Sequence, residues 1–249
     1  MALLSLAHVN KRFGGVSALT DVGFQVEQGE ILGLIGPNGA GKTTLLNCIS
    51  GVFPLDGGSI HFAGQRISGL PPHRIARLGI GRTFQVVKPF LSMTVRENAA
   101  VGALFGASNL QPRQAFQAAD DVLELVGMAA KSGNPVGSLT IPDRKRLEVA
   151  RALATKPRLL LLDEVMAGLN AVEVDEALDM VRTVHQSGVT IVLIEHVMKV
   201  VVGLCQRVVV LNFGQPLAAG TPEEVLRDER VIEAYLGEKY AARVRRAGG

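Results

Sequence analysis

Eight residues constrain this chain more than any others. Gly36-Pro37-Asn38-Gly39-Ala40-Gly41-Lys42-Thr43 is a full match to G-x-x-x-x-G-K-[ST]. The octet follows an unbroken apolar run, Ile31-Leu32-Gly33-Leu34-Ile35, and precedes a helical pattern. That pattern sets Leu45, Leu46 and Ile49 on one side, with Gly51 as its C-cap. A continuous apolar run bounded by glycine predicts a strand buried on both faces. Between strand and helix, glycines let backbone N–H groups curl around a phosphate without Cβ clashes. The helix N-terminus adds its partial positive charge. Lys42 can reach the β- and γ-phosphates of a nucleotide, and the Thr43 hydroxyl can ligate Mg²⁺. Gly36 through Thr43, with Thr44 beside them, are the candidate nucleotide-binding residues.

A second signal lies far downstream. Asp163-Glu164 ends another buried run, Leu159-Leu160-Leu161-Leu162. A carboxylate at the C-terminal end of such a strand points into the crevice where α/β sheets bind ligands. Asp163 can hold Mg²⁺ through water, and Glu164 is placed to orient or deprotonate an attacking water.

The rest of the chain predicts an α/β fold. Val189 to Ile194 forms a third strand-sized apolar run, and Val208 to Leu211 another. Helical patterns span about 143–155, with Leu147, Ala150, Leu153 and Ala154 on one face, and about 172–187, ending at Ser187-Gly188. Strands alternating with helices argue a parallel sheet. Near the N-terminus, Leu3, Leu4 and Leu6 and a short alternating run from Val22 to Val26 read as strands. Asp56-Gly57-Gly58 reads as a hairpin turn before Ser59 to Phe62. Residues 70 to 80 hold Pro71-Pro72 and then a short helical pattern. Residues 94 to 155 carry no strand signal and read as a helical insertion. The tail, 241–249, reads as frayed.

Composition excludes several classes. In 249 residues the hydrophobic fraction is 47% and the charged fraction 20%, which rules out a disordered or collagen-like chain. A net charge of +3 is too small to argue for nucleic acid. Cys48 and Cys205 are far apart with no CxxC, so neither a disulfide framework nor a Cys-rich metal site is expected, and reduced thiols fit a cytosolic protein. The N-terminus does not read as a signal peptide. No apolar run approaches the ~20 residues of a spanning helix, so membrane contact is expected to be peripheral.

The order of motifs resembles the nucleotide-binding ATPase of ATP-binding cassette (ABC) transporters over nearly the whole chain. The resemblance implies a P-loop NTPase fold in one domain, residues 1–249. It has a parallel-sheet RecA-like core with an N-terminal antiparallel β-subdomain (1–85 and 156–220), an inserted helical subdomain (86–155) and a C-terminal helical extension (221–249). It implies ATP and Mg²⁺ as cofactors. It assigns γ-phosphate sensing and a metal contact to Gln85 in Arg82-Thr83-Phe84-Gln85, a switch role to His196 in Ile194-Glu195-His196, and adenine stacking to Phe13, where Tyr is commoner. Ala167-Gly168-Leu169-Asn170 matches the loop that crosses to a partner subunit, with Asn where Asp is commoner. Val165 stands where a Pro usually follows the acidic pair.

The chain departs from the family at its signature, L-S-G-G-Q. Leu139-Thr140-Ile141-Pro142-Asp143 holds that place, fixed by Arg146, Ala150, Arg151 and Ala152 that follow. Thr140 keeps the hydroxyl that faces the partner's ATP, and with Asp143 it forms a capping-box pattern. Pro142 fits a first helical turn. Ile141 and Pro142 replace both glycines, and Asp143 brings a negative charge. Either the cross-subunit contact is altered or Asp143 is taken up by the cap.

Within the family, Val9 to Gly15, Arg82 to Gln85, Met93 to Asn98 and Gly220 to Val225 resemble the ATPases of branched-chain amino acid importers. That resemblance implies ATP hydrolysis coupled to solute uptake at the cytoplasmic face of the inner membrane. The implied partners are a second ABC ATPase subunit in a homo- or heterodimer, two transmembrane permease subunits and, indirectly, a periplasmic solute-binding protein; no nucleic acid is expected. Importers for urea or short amides share these features. A non-transport ABC protein would carry a long coiled-coil insertion or two cassettes, and a P-loop kinase would lack the series of Gln85, 139–143 and His196. Val86, Val87, Pro89, Phe90 and Leu91 are apolar enough either to dock a permease or to pack the core of the insertion.

Overall fold

A computed structural model describes residues 2–84, 88–107 and 110–236. In chain order the elements are β1 (Ala2–Phe13), β2 (Val16–Glu27), β3 (Ile31–Ile35), α1 (Lys42–Ile49), β4 (Gly57–Phe62), β5 (Gln65–Arg66), α2 (Pro72–Leu78) and β6 (Ile80–Arg82). Next come α3 (Val95–Phe105), α4 (Pro112–Leu125), α5 (Ile141–Ala154), β7 (Leu159–Asp163), α6 (Ala171–Gln186), β8 (Thr190–Ile194), α7 (Met198–Leu204), β9 (Arg207–Asn212), β10 (Gln215–Gly220), α8 (Pro222–Arg227) and α9 (Glu229–Leu236). The chain divides into two compact units, 1–69 with 193–249, and 70–192.

In the first unit, β1 is the spine of an antiparallel sheet in the order β2-β1-β4-β5. β3 runs parallel to β9, pairing Leu32 with Arg207 through Ile35 with Val210, and β10 returns antiparallel along β9. All five residues of β3 are buried, as an apolar run without polar alternation requires. Both thiols are buried here; burial pushes Cys48 up to about 11 and Cys205 up to about 12, which keeps them protonated.

The N-terminal sheet differs from its sequence reading in two places. β2 begins at Val16, six residues before the run at Val22 to Val26, because irregular register shifts along β1 hide the alternation. Gly57-Gly58 is not a hairpin turn but the start of β4. Gly58 has φ 83, and a Cβ there would lie 2.2 Å from the His8 carbonyl oxygen, so the glycine serves close strand approach. Asp56 instead anchors β1, accepting from Lys11 Nζ at 3.2 Å and from the Arg12 amide at 2.5 Å.

In the second unit, β8, β7 and β6 are neighbours in that order, with β6 parallel to β7. All five residues of β7 are buried. The described residues of 94–155 carry three α-helices, α3 to α5, and no named strand, as expected. α3 packs on both α4 and α5. The α3–α5 crossing is close because Gly102 has no side chain: a Cβ there would lie 2.2 Å from the Arg151 carbonyl oxygen. α5 begins at Ile141, capped by Thr140, and α6 begins at Ala171, capped by Asn170.

Candidate functional site

In the first unit, β3 delivers the chain into the glycine-rich loop. Gly36 has φ 147, and a Cβ there would lie 2.1 Å from the Leu211 carbonyl oxygen on β9. Gly41, at φ 98, would meet the Ala18 carbonyl oxygen at 2.7 Å. Gly39 has open space but φ 79, so conformation alone selects it. Ala40 is buried; Asn38 and Gly39 are exposed. Pro37 shapes the bend, its carbonyl accepting from the Ala40 amide at 3.2 Å. α1 opens at Lys42 with no side-chain cap and no acidic residue in its first turn. That leaves its first N–H groups and its dipole for an anion from outside. Lys42 Nζ donates to the carbonyls of Gly36 at 2.7 Å and Pro37 at 2.9 Å. Thr43 and Thr44 follow, half-buried.

This unit also holds Phe13, His196 and Tyr235. Phe13, at the end of β1, is 44% exposed, so its ring is accessible. It packs edge-on against Phe53 at 5.1 Å, with Lys11 Nζ 5.2 Å from its centroid. His196 is exposed, two residues past the end of β8. Tyr235 on α9 is a contact the sequence did not suggest: burial pushes its hydroxyl up, and a hydrogen bond from the Gly36 amide opposes that.

In the second unit, Asp163 ends β7 at 1% exposure. Its amide donates to Thr83 Oγ1 at 3.1 Å, and Arg82 Nη2 lies 3.3 Å from its Oδ2. Thr83 and Arg82 come from the end of β6, too short a strand to show in periodicity. Glu164 has φ 52, a left-handed conformation that costs a non-glycine residue about 1–3 kcal/mol. The turn is pinned from α5: Lys145 Nζ donates to the carbonyls of Glu164, at 3.4 Å, and Ala167. Asn170 closes the loop, its side chain accepting from the Val172 and Glu173 amides at 3.0 and 3.1 Å, while its own backbone amide donates to Glu173 Oε2 at 2.9 Å.

The start of α5 settles the role of Asp143 within the chain. The Thr140 hydroxyl caps the helix from an exposed position, accepting from the Asp143 amide at 3.4 Å. The Asp143 carboxylate also takes a backbone hydrogen bond from Thr140. It accepts from Lys131 Nζ at 2.6 and 2.7 Å and from the Thr140 hydroxyl at 2.9 Å. Burial alone would raise this carboxyl, and those bonds outweigh it and hold it below its ordinary value. Its charge is thereby matched by an ammonium.

Gln85, Val86 and Val87 lie outside the described residues. Of the neighbouring apolar residues, Phe90 and Leu91 are 43% and 66% exposed, so they do not pack the core of the insertion. The Phe90 backbone is held on both sides by buried Asn98.

A glycine cradle closed by a lysine, leading from a buried strand into an uncapped helix, defines a P-loop nucleotide-binding protein. A family model described as ABC transporter matches residues 19–167, and one described as branched-chain amino acid ATP-binding cassette transporter matches residues 215–241. The chain belongs to the ABC transporter family, among its ATP-binding ATPases. It is 41% identical to the high-affinity branched-chain amino acid transport ATP-binding protein BraF of Pseudomonas aeruginosa, covering 95% of this chain and 98% of that one. It is 42% identical to LivG of Escherichia coli, described in the same words, with the same coverage. A crystal structure of the ADP conformation of an ATP-binding cassette superposes with a TM-score of 0.86 at 30% identity, covering 96% of this chain and all of the other.

Proposed function

We propose that this chain is the Mg·ATP-hydrolysing subunit of a branched-chain amino acid importer, acting peripherally at the cytoplasmic face of the membrane. Identity of 41–42% over 95% of the chain to subunits named for that transport carries the reading. The C-terminal match over 215–241 supports the same solute class. No helix among the described residues is long and apolar enough to cross a membrane, which suits a subunit that works on separate permease chains.

In this reading the loop from Gly36 to Gly41 and the first amides of α1 hold the phosphates. Lys42 turns from its loop carbonyls to the β- and γ-phosphates, and Phe13 stacks on adenine. Thr43, Gln85 and Asp163 are the residues that would hold Mg²⁺, which supplies charge neutralisation on the phosphates. Among the described residues no cluster of three or more His, Cys, Asp or Glu side chains could hold a metal ion. A cation here therefore relies on phosphate and water oxygens as well as protein, as Mg²⁺ does at such sites. Glu164 positions the attacking water and takes up its proton, and His196 reads the γ-phosphate. Thr140 faces the nucleotide of a second ABC subunit.

Glu164→Gln keeps the shape of the side chain and removes its basicity. The variant should bind ATP with unchanged affinity and lose ~10²–10⁴-fold in hydrolysis, the usual contribution of a general base. Wild-type turnover by Glu164→Gln, purified with its partner subunits, would refute the catalytic assignment. Uptake of labelled leucine, isoleucine or valine by vesicles carrying the co-purified permease tests the solute; uptake of urea or a short amide in its place would reassign it.

A further inference from the structure

The first residue of the glycine-rich loop is held from three directions. Gly36 is buried, and the Leu211 carbonyl oxygen on β9 takes up the space of a side chain. Its own carbonyl accepts from Lys42 Nζ at 2.7 Å. Its amide donates to the Tyr235 hydroxyl on α9, a helix of the same unit. The C-terminal helices are built to present that tyrosine. Thr221 and Glu224 close a capping box at the start of α8, which buries Pro222 and Val225. α8 packs on β9 and β10, and α9 packs on α8 and β10. Asp228 Oδ1 accepts from the Arg230 amide at 2.9 Å at the start of α9, and buried Val231 anchors the helix. Val231 and Tyr235 are four residues apart and so lie on one face of it. Packing does not require the hydroxyl: Tyr235 is 37% exposed, and a phenylalanine ring would cover the same surface. What the hydroxyl adds is an acceptor for a buried N–H.

Nucleotide acts differently on these holds. In the reading given above, Lys42 leaves the Gly36 and Pro37 carbonyls for the phosphates. The loop loses that internal clamp at the moment its amides must converge on the phosphates, and the bond from α9 stays. We infer that Tyr235 is a positioning residue for the nucleotide loop, its hydroxyl fixing Gly36 so that the loop amides are in place before the phosphates arrive and α9 sets the affinity for ATP. The inference rests on the phosphate role given to this loop. A loop ordered beforehand spares the ligand the cost of ordering it. Such coupling is reciprocal: ATP should hold α9 down by the factor that α9 adds to ATP affinity.

The test compares the full-length chain with Tyr235→Phe, which removes one oxygen and keeps the ring. Titration calorimetry with Mg·ATP reads the affinity of folded molecules, so a loss of stability alone does not move it. Tyr235→Phe should bind Mg·ATP about five- to tenfold more weakly, the scale of one intramolecular hydrogen bond. Hydrogen exchange gives the reciprocal reading and needs no variant: the amides of 231–235 should exchange about five- to tenfold more slowly when Mg·ATP saturates the wild-type chain. Tyr235→Phe should lose that protection. In the complex purified with its partner subunits, Tyr235→Phe should raise KM for ATP by the same factor with kcat within about twofold, because the loop holds ground state and transition state alike. Lys42→Ala, measured beside it, reports on the loop itself. Weak binding by Lys42→Ala beside an affinity within about twofold of wild type in Tyr235→Phe, or beside α9 exchange that ATP leaves unchanged, would overturn this inference alone. Wild-type affinity in both variants would overturn the phosphate role of the loop and this inference with it.

Discussion

Truncating Lys42 to Ala separates what the lysine does for the loop from what it does for the nucleotide. Its ammonium donates to the Gly36 and Pro37 carbonyls at 2.7 and 2.9 Å, with the residue only 9% exposed. A hydrogen bond involving one charged partner contributes about 1.5–3 kcal/mol. Binding ATP exchanges two contacts with neutral carbonyls, at the low end of that range, for two with charged phosphate oxygens, at the high end. The net gain is about 1.5 kcal/mol for each contact, or about 3 kcal/mol in all, and each 1.4 kcal/mol is tenfold in affinity. Lys42→Ala should therefore weaken Mg·ATP binding by about two orders of magnitude, and it should also lower the melting temperature of the nucleotide-free chain.

Titration calorimetry with Mg·ATP measures the first effect, and circular dichroism the second. Lys42→Arg is the control. It keeps the charge, but a guanidinium does not fit between two carbonyls placed for a compact ammonium, so its affinity should fall about as far. Lys42→Ala binding Mg·ATP within about threefold of wild type would show that this ammonium never leaves its carbonyls, and the assigned phosphate contact would be wrong.

Two further outcomes follow from packing and charge. Gly102→Ala should destabilise the α3–α5 crossing by about 2–3 kcal/mol, because its Cβ meets a backbone oxygen that cannot move aside; a thermal melt within about 1 °C of wild type would contradict the close approach. The raised carboxyl of Glu148 makes the folded state bind a proton more readily than the unfolded chain, so its contribution to stability falls as pH rises from its ordinary value of 4.5. Glu148→Gln should accordingly gain stability relative to wild type between pH 4.5 and 7 in urea titrations, and a constant difference across that window would refute the shift.

The parts of the fold that local sequence encodes were readable: the apolar runs at 31–35, 159–162, 190–194 and 208–211 became buried strands, and Thr140 caps the helix that follows it. What escaped the sequence was set by distant backbone. Asp56-Gly57-Gly58 has the local chemistry of a turn, but the approach of His8 on β1 makes Gly58 a strand residue. The pairing of Arg82 with Asp163, the grip of Lys145 on the Glu164 turn and the Phe84–Glu148 bond join residues 19 to 81 positions apart. Such contacts leave no periodic trace, because each depends on two segments meeting rather than on the pattern of either. The octet from Gly36 to Thr43 was legible for the opposite reason: its requirements, three glycines and a lysine within eight residues, are local.

The variant signature is where those two kinds of information meet. Sequence alone left Asp143 either capping the helix or repelling phosphate; in the fold Lys131 supplies the counter-charge from outside α5. If the start of α5 faces the nucleotide of a second subunit, that ammonium is what makes Asp143 tolerable there. The Lys131 side chain is 45% exposed but that of Asp143 only 12%, so Lys131→Met strips the counter-charge from a largely buried carboxylate and should lower the melting temperature by a few degrees. It would also leave that carboxylate without its ammonium beside the approaching phosphate, at a cost of about 1 kcal/mol, or about fivefold in ATP-driven subunit association. Light scattering of the Glu164→Gln chain with its co-purified ATPase partner, with and without Lys131→Met, measures that association. Adding Asp143→Asn to Lys131→Met removes the uncompensated charge and should restore the association. Association that is unchanged by Lys131→Met, or that is lost and not recovered by Asp143→Asn, would show that the charge at the start of α5 does not face the nucleotide.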